Sequence, residues 1–168
     1  TLTQTTYYRR QAHDGLCNTS WATSSDVWAV TVVPNANAGT VTAGANPICI
    51  GQTSNFTVSG VVLGGGTGSW SSSNTSIATV NASGVVTAVG AGTATITYTV
   101  SEGCGGTKTS SAPIKVNPNA NAGTVTAGTN PICIGETSNF TVSGVVLGGG
   151  TGSWSSSNTS IATVNASG

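Results

Sequence analysis

The chain has 168 residues, of which 5% are charged, with four Lys and Arg balancing four Asp and Glu. Zero net charge offers no electrostatic grip on phosphate backbones or anionic lipid, which argues against nucleic-acid partners and membrane-surface roles. No apolar run approaches the ~18–20 residues a membrane helix needs, and one His with four acidic residues is too little for acid–base or nucleophilic catalysis.

In chain order, the first clear strand signal is Thr40–Ala43, followed by Asn55–Val61, Gly68–Ser72, Ile77–Asn81 and Val85–Val89. Strongest is Gly92–Val100, where Ala94, Ile96, Tyr98 and Val100 alternate with Thr93, Thr95, Thr97 and Thr99. A period of two with one apolar face marks a half-buried strand, and β-branched Thr suits its outer face. Ser111–Asn117 completes the set. Turn-forming clusters at Gly64–Gly66, Asn74–Ser76, Ala82–Gly84, Gly90–Gly92 and Gly103–Gly106 separate the strands. Periodic, β-branched apolar positions argue against disorder despite the Gly/Ser/Thr richness. Short strands, frequent turns and no helical period predict an antiparallel sandwich of immunoglobulin type.

Residues 34–84 return as 118–168 with two differences, Ala45 against Thr129 and Gln52 against Glu136, at an offset of 84. Such a period means stacked, domain-sized units. The joints are Val33-Pro34-Asn35-Ala36-Asn37 and Asn117-Pro118-Asn119-Ala120-Asn121, stiffened because Pro restricts itself and its predecessor. The expected fold is therefore all-β: tandem immunoglobulin-like antiparallel β-sandwiches without helices. Residues 34–117 form a complete unit, 118–168 the front half of another, and 1–33 the back strands of a third. The 51 residues from Pro118 and the 33 before Pro34 also make 84. Two arrangements produce this: a continuous array with a 168-residue repeat, which tandem duplication favours, or separate chains that complete one another head to tail by strand addition. A truncated product is the third reading, disfavoured by the unpaired edges it would expose.

The stretch Gly68-Ser69-Trp70-Ser71-Ser72-Ser73-Asn74, with Ile77-Ala78-Thr79-Val80, Gly84-Val85-Val86-Thr87 and Gly92-Thr93-Ala94-Thr95-Ile96, resembles the bacterial immunoglobulin-like group 2 domain. The opening Thr1–Arg10, with Cys17 and Val30-Thr31-Val32-Val33, is similar to the last strands of the Ig/PKD-like repeats of large Bacteroidota surface proteins. The resemblance implies an extracellular sandwich in a multidomain adhesin, stalk or filament, with no catalytic residues to transfer.

Four cysteines at regular spacing, without a metal-type CxxC, read as disulfides: Cys49–Cys104, and Cys133 with Cys17 of a following copy. The first pairing meets a geometric objection, because the two loops lie at opposite ends of a plain sandwich. It therefore requires the Cys49 segment to run beside the hairpin of Cys104. Trp70 and Trp154 are expected in the core, with sugar stacking as the rival reading. Trp21, Trp28, Tyr7 and Arg9 are the candidates for contact with a glycan or cell-surface ligand. His13 and Cys17 make no metal site alone, the Gly64–Gly68 run lacks the Lys and helix of a phosphate loop, and no calcium loop of closely spaced acids exists. Sequons such as Asn74-Thr75-Ser76 arise by chance in so Asn/Ser/Thr-rich a chain. No cofactor is expected. The partners expected are copies of the chain itself, meeting through residues 1–33 and 118–168. The leading functional reading is a secreted bacterial surface fibre or stalk. Its rival is an adhesin or carbohydrate-binding module, with a virion decoration protein third.

Overall fold

The computed structural model describes residues 6–12, 22–23 and 28–168, and within them every element is a β-strand. In chain order these are β1 (Thr6–Tyr8), β2 (Gln11–Ala12), β3 (Ala22–Thr23), β4 (Trp28–Val30), β5 (Thr40–Thr42), β6 (Ile48–Cys49), β7 (Thr53–Asn55) and β8 (Thr57–Ser59). They continue with β9 (Thr67–Ser72), β10 (Ala78–Val80), β11 (Val85–Ala88), β12 (Gly92–Ser101), β13 (Lys108–Asn117), β14 (Thr124–Thr126) and β15 (Thr141–Ser143). The chain is an all-β protein of immunoglobulin-like sandwich type.

Residues 34–117 carry two larger sheets and a separate two-stranded one, β5-β8. One has the order β6-β13-β12-β9, with β6 parallel to the end of β13. In the other, β10 and β7 flank β11. The expected strand over 55–61 is therefore β7 and β8 in succession, interrupted at Phe56, whose N–H donates to the Gly84 carbonyl. The interruption lets one chain segment serve β11 with its first half and β5 with its second.

The alternation in β12 works as its sequence implies. Ala94, Ile96 and Val100 are buried and Tyr98 is half-buried, whereas Thr93 and Thr95 are exposed. Thr97 and Thr99 are half-covered, since β12 lies between β9 and β13. From the sheet opposite come Val41, Phe56, Ala78, Val86 and Ala88, and from β6 and β13 Ile48, Ile114 and Val116, closing one core. A second small cluster of Ala36, Ala38 and Val100 seals the pole where the incoming linker arrives.

Trp70 faces this core but is only half-buried. It pairs directly across the sheet with Tyr98, ring centroids 5.0 Å apart at 62°. Such an edge-to-face pair is a favoured aromatic geometry. Trp70 thus belongs to the core rim rather than its centre.

Candidate functional site

Residues 118–168 repeat the front half of the sandwich almost letter for letter, so they should adopt the same local structure. They do so only where they can pair with themselves. Strands β14 and β15 reproduce β5 and β8, and the bridge Asn121↔Val146 reproduces Asn37↔Val62. The turn N–H of Glu136 donates to Cys133 at 3.0 Å, as Gln52 does to Cys49. The counterparts of β6, β7, β9 and β10 are not strands, because in the complete unit these pair with β13, β11 and β12, strands that 118–168 lacks.

Burial follows pairing. Phe56 is 2% exposed but its copy Phe140 is 39% exposed. Val41, Ile48 and Ala78 are buried, yet Val125, Ile132 and Ala162 are exposed, as are Ile134 and Ile161. Trp154, without a counterpart of Tyr98, stacks edge-on against Phe140 at 6.5 Å. Residues that form a core in one unit form a bare apolar face in the next. Large apolar side chains exposed in such number mark an interaction surface. Among the described residues none covers it.

The described part of residues 1–33 is a nested pair of antiparallel ladders, with Thr6↔Val30, Tyr7↔Ala29, Tyr8↔Trp28, then Gln11↔Thr23 and Ala12↔Ala22. Its approach to the linker matches β12 and β13. Trp28 and Val30 lie 84 residues before Ala112 and Ile114, and their partners Tyr8 and Thr6 take the places of Ile96 and Ala94. By that register Thr6, Tyr8, Trp28 and Val30 share the face that packs inward in the complete unit. Tyr8 is 49% and Trp28 77% exposed.

This register sorts the contact candidates. Trp28 lies on the face corresponding to the core and is displayed here because no sheet faces it. Tyr7, 70% exposed, lies on the opposite face, and Arg9 beyond it is also exposed. Trp21 falls outside the described residues, as does Cys17. Sequence reading passed over the copied core positions Val125, Ile132, Phe140 and Ile161. The signal was present, since each copies or corresponds to a position that the alternation makes apolar and inward.

The expected Cys49–Cys104 bridge is not formed: Cys49, Cys104 and Cys133 are free thiols, half-covered or exposed. Cys49 does run on an edge strand beside β13, but it sits opposite Asn117, at the far end of that strand. Cys104 lies beyond the other end, in the β12–β13 turn. Nine residues of strand at ~3.3 Å each separate these poles by roughly 30 Å, against the ~4.4–6.8 Å between Cα atoms that a disulfide requires. No group of three metal-ligating side chains occurs among the described residues. Likewise, no helix there is long and apolar enough to cross a membrane.

Residues 57–103 match a family model described as intimin, immunoglobulin-like domain. Comparisons with curated proteins and with solved structures return no match. The matched span runs from β8 to the turn after β12, and so includes Trp70, Tyr98 and the most buried strand of the sandwich. Together with the all-β fold, the match supports a bacterial immunoglobulin-like domain around residues 57–103, a kind that suggests a surface-exposed, adhesin-like or structural role.

Proposed function

We propose that the chain is a structural repeat of an extracellular bacterial surface fibre or stalk, of the group 2 type found in large Bacteroidota surface proteins. The apolar face of residues 118–168 is its assembly site. The occupant is the hairpin of residues 1–33 from the following copy, whether joined covalently or added as a strand pair. One observation carries this reading: the same sequence is a closed core at Val41, Ile48 and Phe56 and a bare face at Val125, Ile132 and Phe140. The hairpin supplies the complement, with Tyr8, Trp28 and Val30 on the side that β12 and β13 turn inward. A near-neutral surface also suits close packing of copies, since self-repulsion is weak.

The test is a chain of two copies joined head to tail, followed by hydrogen exchange. Amides of residues 124–142 in the first copy are expected to become as protected as those of 40–58, while those of the second copy stay open. In electron micrographs the corresponding filament has an axial repeat of two units, on the order of 70–90 Å from strand rise. Equal, low protection in both copies would remove the reading.

A second reading, an adhesin or carbohydrate-binding module, draws on the exposed Tyr7 and Arg9 of the outer hairpin face. Retention on immobilised glycans that is lost in Tyr7→Ala but kept in Trp28→Ala would favour it. Nothing in either reading calls for catalysis.

A further inference from the structure

The two cysteines of the complete unit are placed at its two joints. Cys104 sits against the incoming linker: its carbonyl accepts from Ala36 N–H at 2.6 Å and its N–H donates to Gly64 at 2.9 Å. The turn around it is packed so closely that a side chain on Gly103 would meet Ala36 Cβ, and one on Gly105 would meet Asn35. Cys49 sits against the outgoing linker. It pairs with Asn117, its neighbour Ile50 donates to the Asn117 carbonyl at 3.2 Å, and its own N–H is held by Gln52 Oε1 at 2.9 Å. Both thiols are therefore held on pinned backbone beside a Pro-Asn joint, Cys49 partly covered and Cys104 exposed.

In an array, the outgoing joint of one unit is the incoming joint of the next. We infer that the cysteines form disulfides across the joints between units, the Cys49 position of one unit with the Cys104 position of the unit after it. For this chain that pairs Cys133, the copy of Cys49, with Cys104 of the following copy. The inference rests on the head-to-tail reading above for its choice of partner.

Reach permits it. The residue beside a Cys49-type cysteine and the residue bonded to the next Cys104-type cysteine correspond to Asn117 and Ala120, three residues apart. That chain spans at most about 11 Å, and each cysteine lies about 5 Å from its anchor. The two Cα atoms are then no more than about 20 Å apart, a bound that leaves disulfide geometry open to a suitably oriented joint. Within a unit the sheet holds them at roughly 30 Å, and no orientation of a joint changes that.

The chemistry needs a disulfide oxidant, supplied by a thiol–disulfide exchange protein or by glutathione disulfide in vitro. The Cys133 thiolate attacks the oxidant's S–S bond, giving a mixed disulfide and one released thiolate. The Cys104 thiolate then attacks the Cys133 sulfur and expels the second. Two protein thiols become one disulfide, and the two electrons and two protons end on two small thiols.

The experiment uses two copies joined head to tail, oxidised with glutathione disulfide, alkylated and cut with trypsin and chymotrypsin together. Arg10, Trp21, Phe56, Tyr98, Lys108, Lys115 and Phe140 place every cysteine on a separate peptide. The expected product is residues 116–140 linked to residues 99–108, and Cys104→Ser leaves Cys133 fully alkylated. Cys49 linked to Cys104, Cys133 linked to Cys17, or all eight thiols free after oxidation each overturn the inference. Hydrogen exchange on the same sample separates it from the assembly reading. Protection over 124–142 with free thiols leaves assembly standing and removes the disulfide, and the linked peptide without protection does the reverse.

Discussion

Phe56 and Phe140 offer a controlled experiment within one molecule, since they share their sequence surroundings and differ in what covers them. Phe56→Ala removes a ring that is 2% exposed and contacts the core of residues 34–117. Burial and the cavity left behind together set the cost at about 3–5 kcal/mol. An 84-residue unit has only a few to about 13 kcal/mol of total stability. A unit of this size loses roughly 4–8 °C per kcal/mol, so the calorimetric transition of residues 34–117 falls by roughly 12–40 °C or disappears. Phe140→Ala removes a ring already 39% exposed, from a face with no opposing sheet and hence no cavity to leave. It is expected to move that transition by less than about 3 °C, because independent sites do not couple. In two copies joined head to tail, Phe140→Ala in the first copy rises to the cost of Phe56→Ala. Equal large losses in the single chain would refute the reasoning, for they would mean that the face of Phe140 is already closed.

Three further expectations follow from local geometry. Gly84 has φ +83° and a Cβ there would meet the Phe56 carbonyl oxygen and lie 3.2 Å from the Trp70 ring, whereas Gly51 at φ +87° faces open space. Gly84→Ala should therefore lower stability by at least about 2 kcal/mol and Gly51→Ala by only about 1, the cost of the left-handed conformation alone, as read by urea denaturation. Ser54 Oγ is buried without a hydrogen-bond partner. An unpaired buried hydroxyl is costly, so Ser54→Ala should raise stability by about 1 kcal/mol in the same assay; a loss of that size would show that the hydroxyl is satisfied. Trp28→Ala in the single chain should change stability by less than about 0.5 kcal/mol, because its ring is 77% exposed. In the two-copy chain the same substitution in the second copy should cost several times more.

The strands of residues 34–117 were legible because each carries its own signal. The alternation of β12 names its buried residues, and Gly-rich turns bound its neighbours. What escaped was anything set by a partner strand. β6 has two residues and no alternation of its own, and it exists only because β13 offers it an edge. The break at Phe56 is likewise invisible in the apolar pattern, since it reflects two neighbours, β11 and β5, sharing one segment. The expected Cys49–Cys104 pairing failed for a related reason. Spacing along the chain records loop length, whereas a strand of ten residues sets the distance between its ends. The assembly site is the converse case: its residues were visible as copies of core positions, but their exposure depends on strands contributed from elsewhere.

The two differences between the near-copies bear on the same distinction between what a segment encodes and what its neighbours impose. Ala45 and Thr129 are both exposed, and nothing in the structure explains that change. Gln52 and Glu136 sit in the turn that carries the joint cysteine. The Gln52 side chain accepts from Cys49 N–H at 2.9 Å, a role needing only an acceptor oxygen, which Glu also offers. The remaining 49 identical positions include Val125, Ile132, Phe140 and Ile161, which all stay exposed in residues 118–168 alone. An apolar face that keeps every core side chain of its buried twin has the composition of an interior, and an interior requires the other sheet.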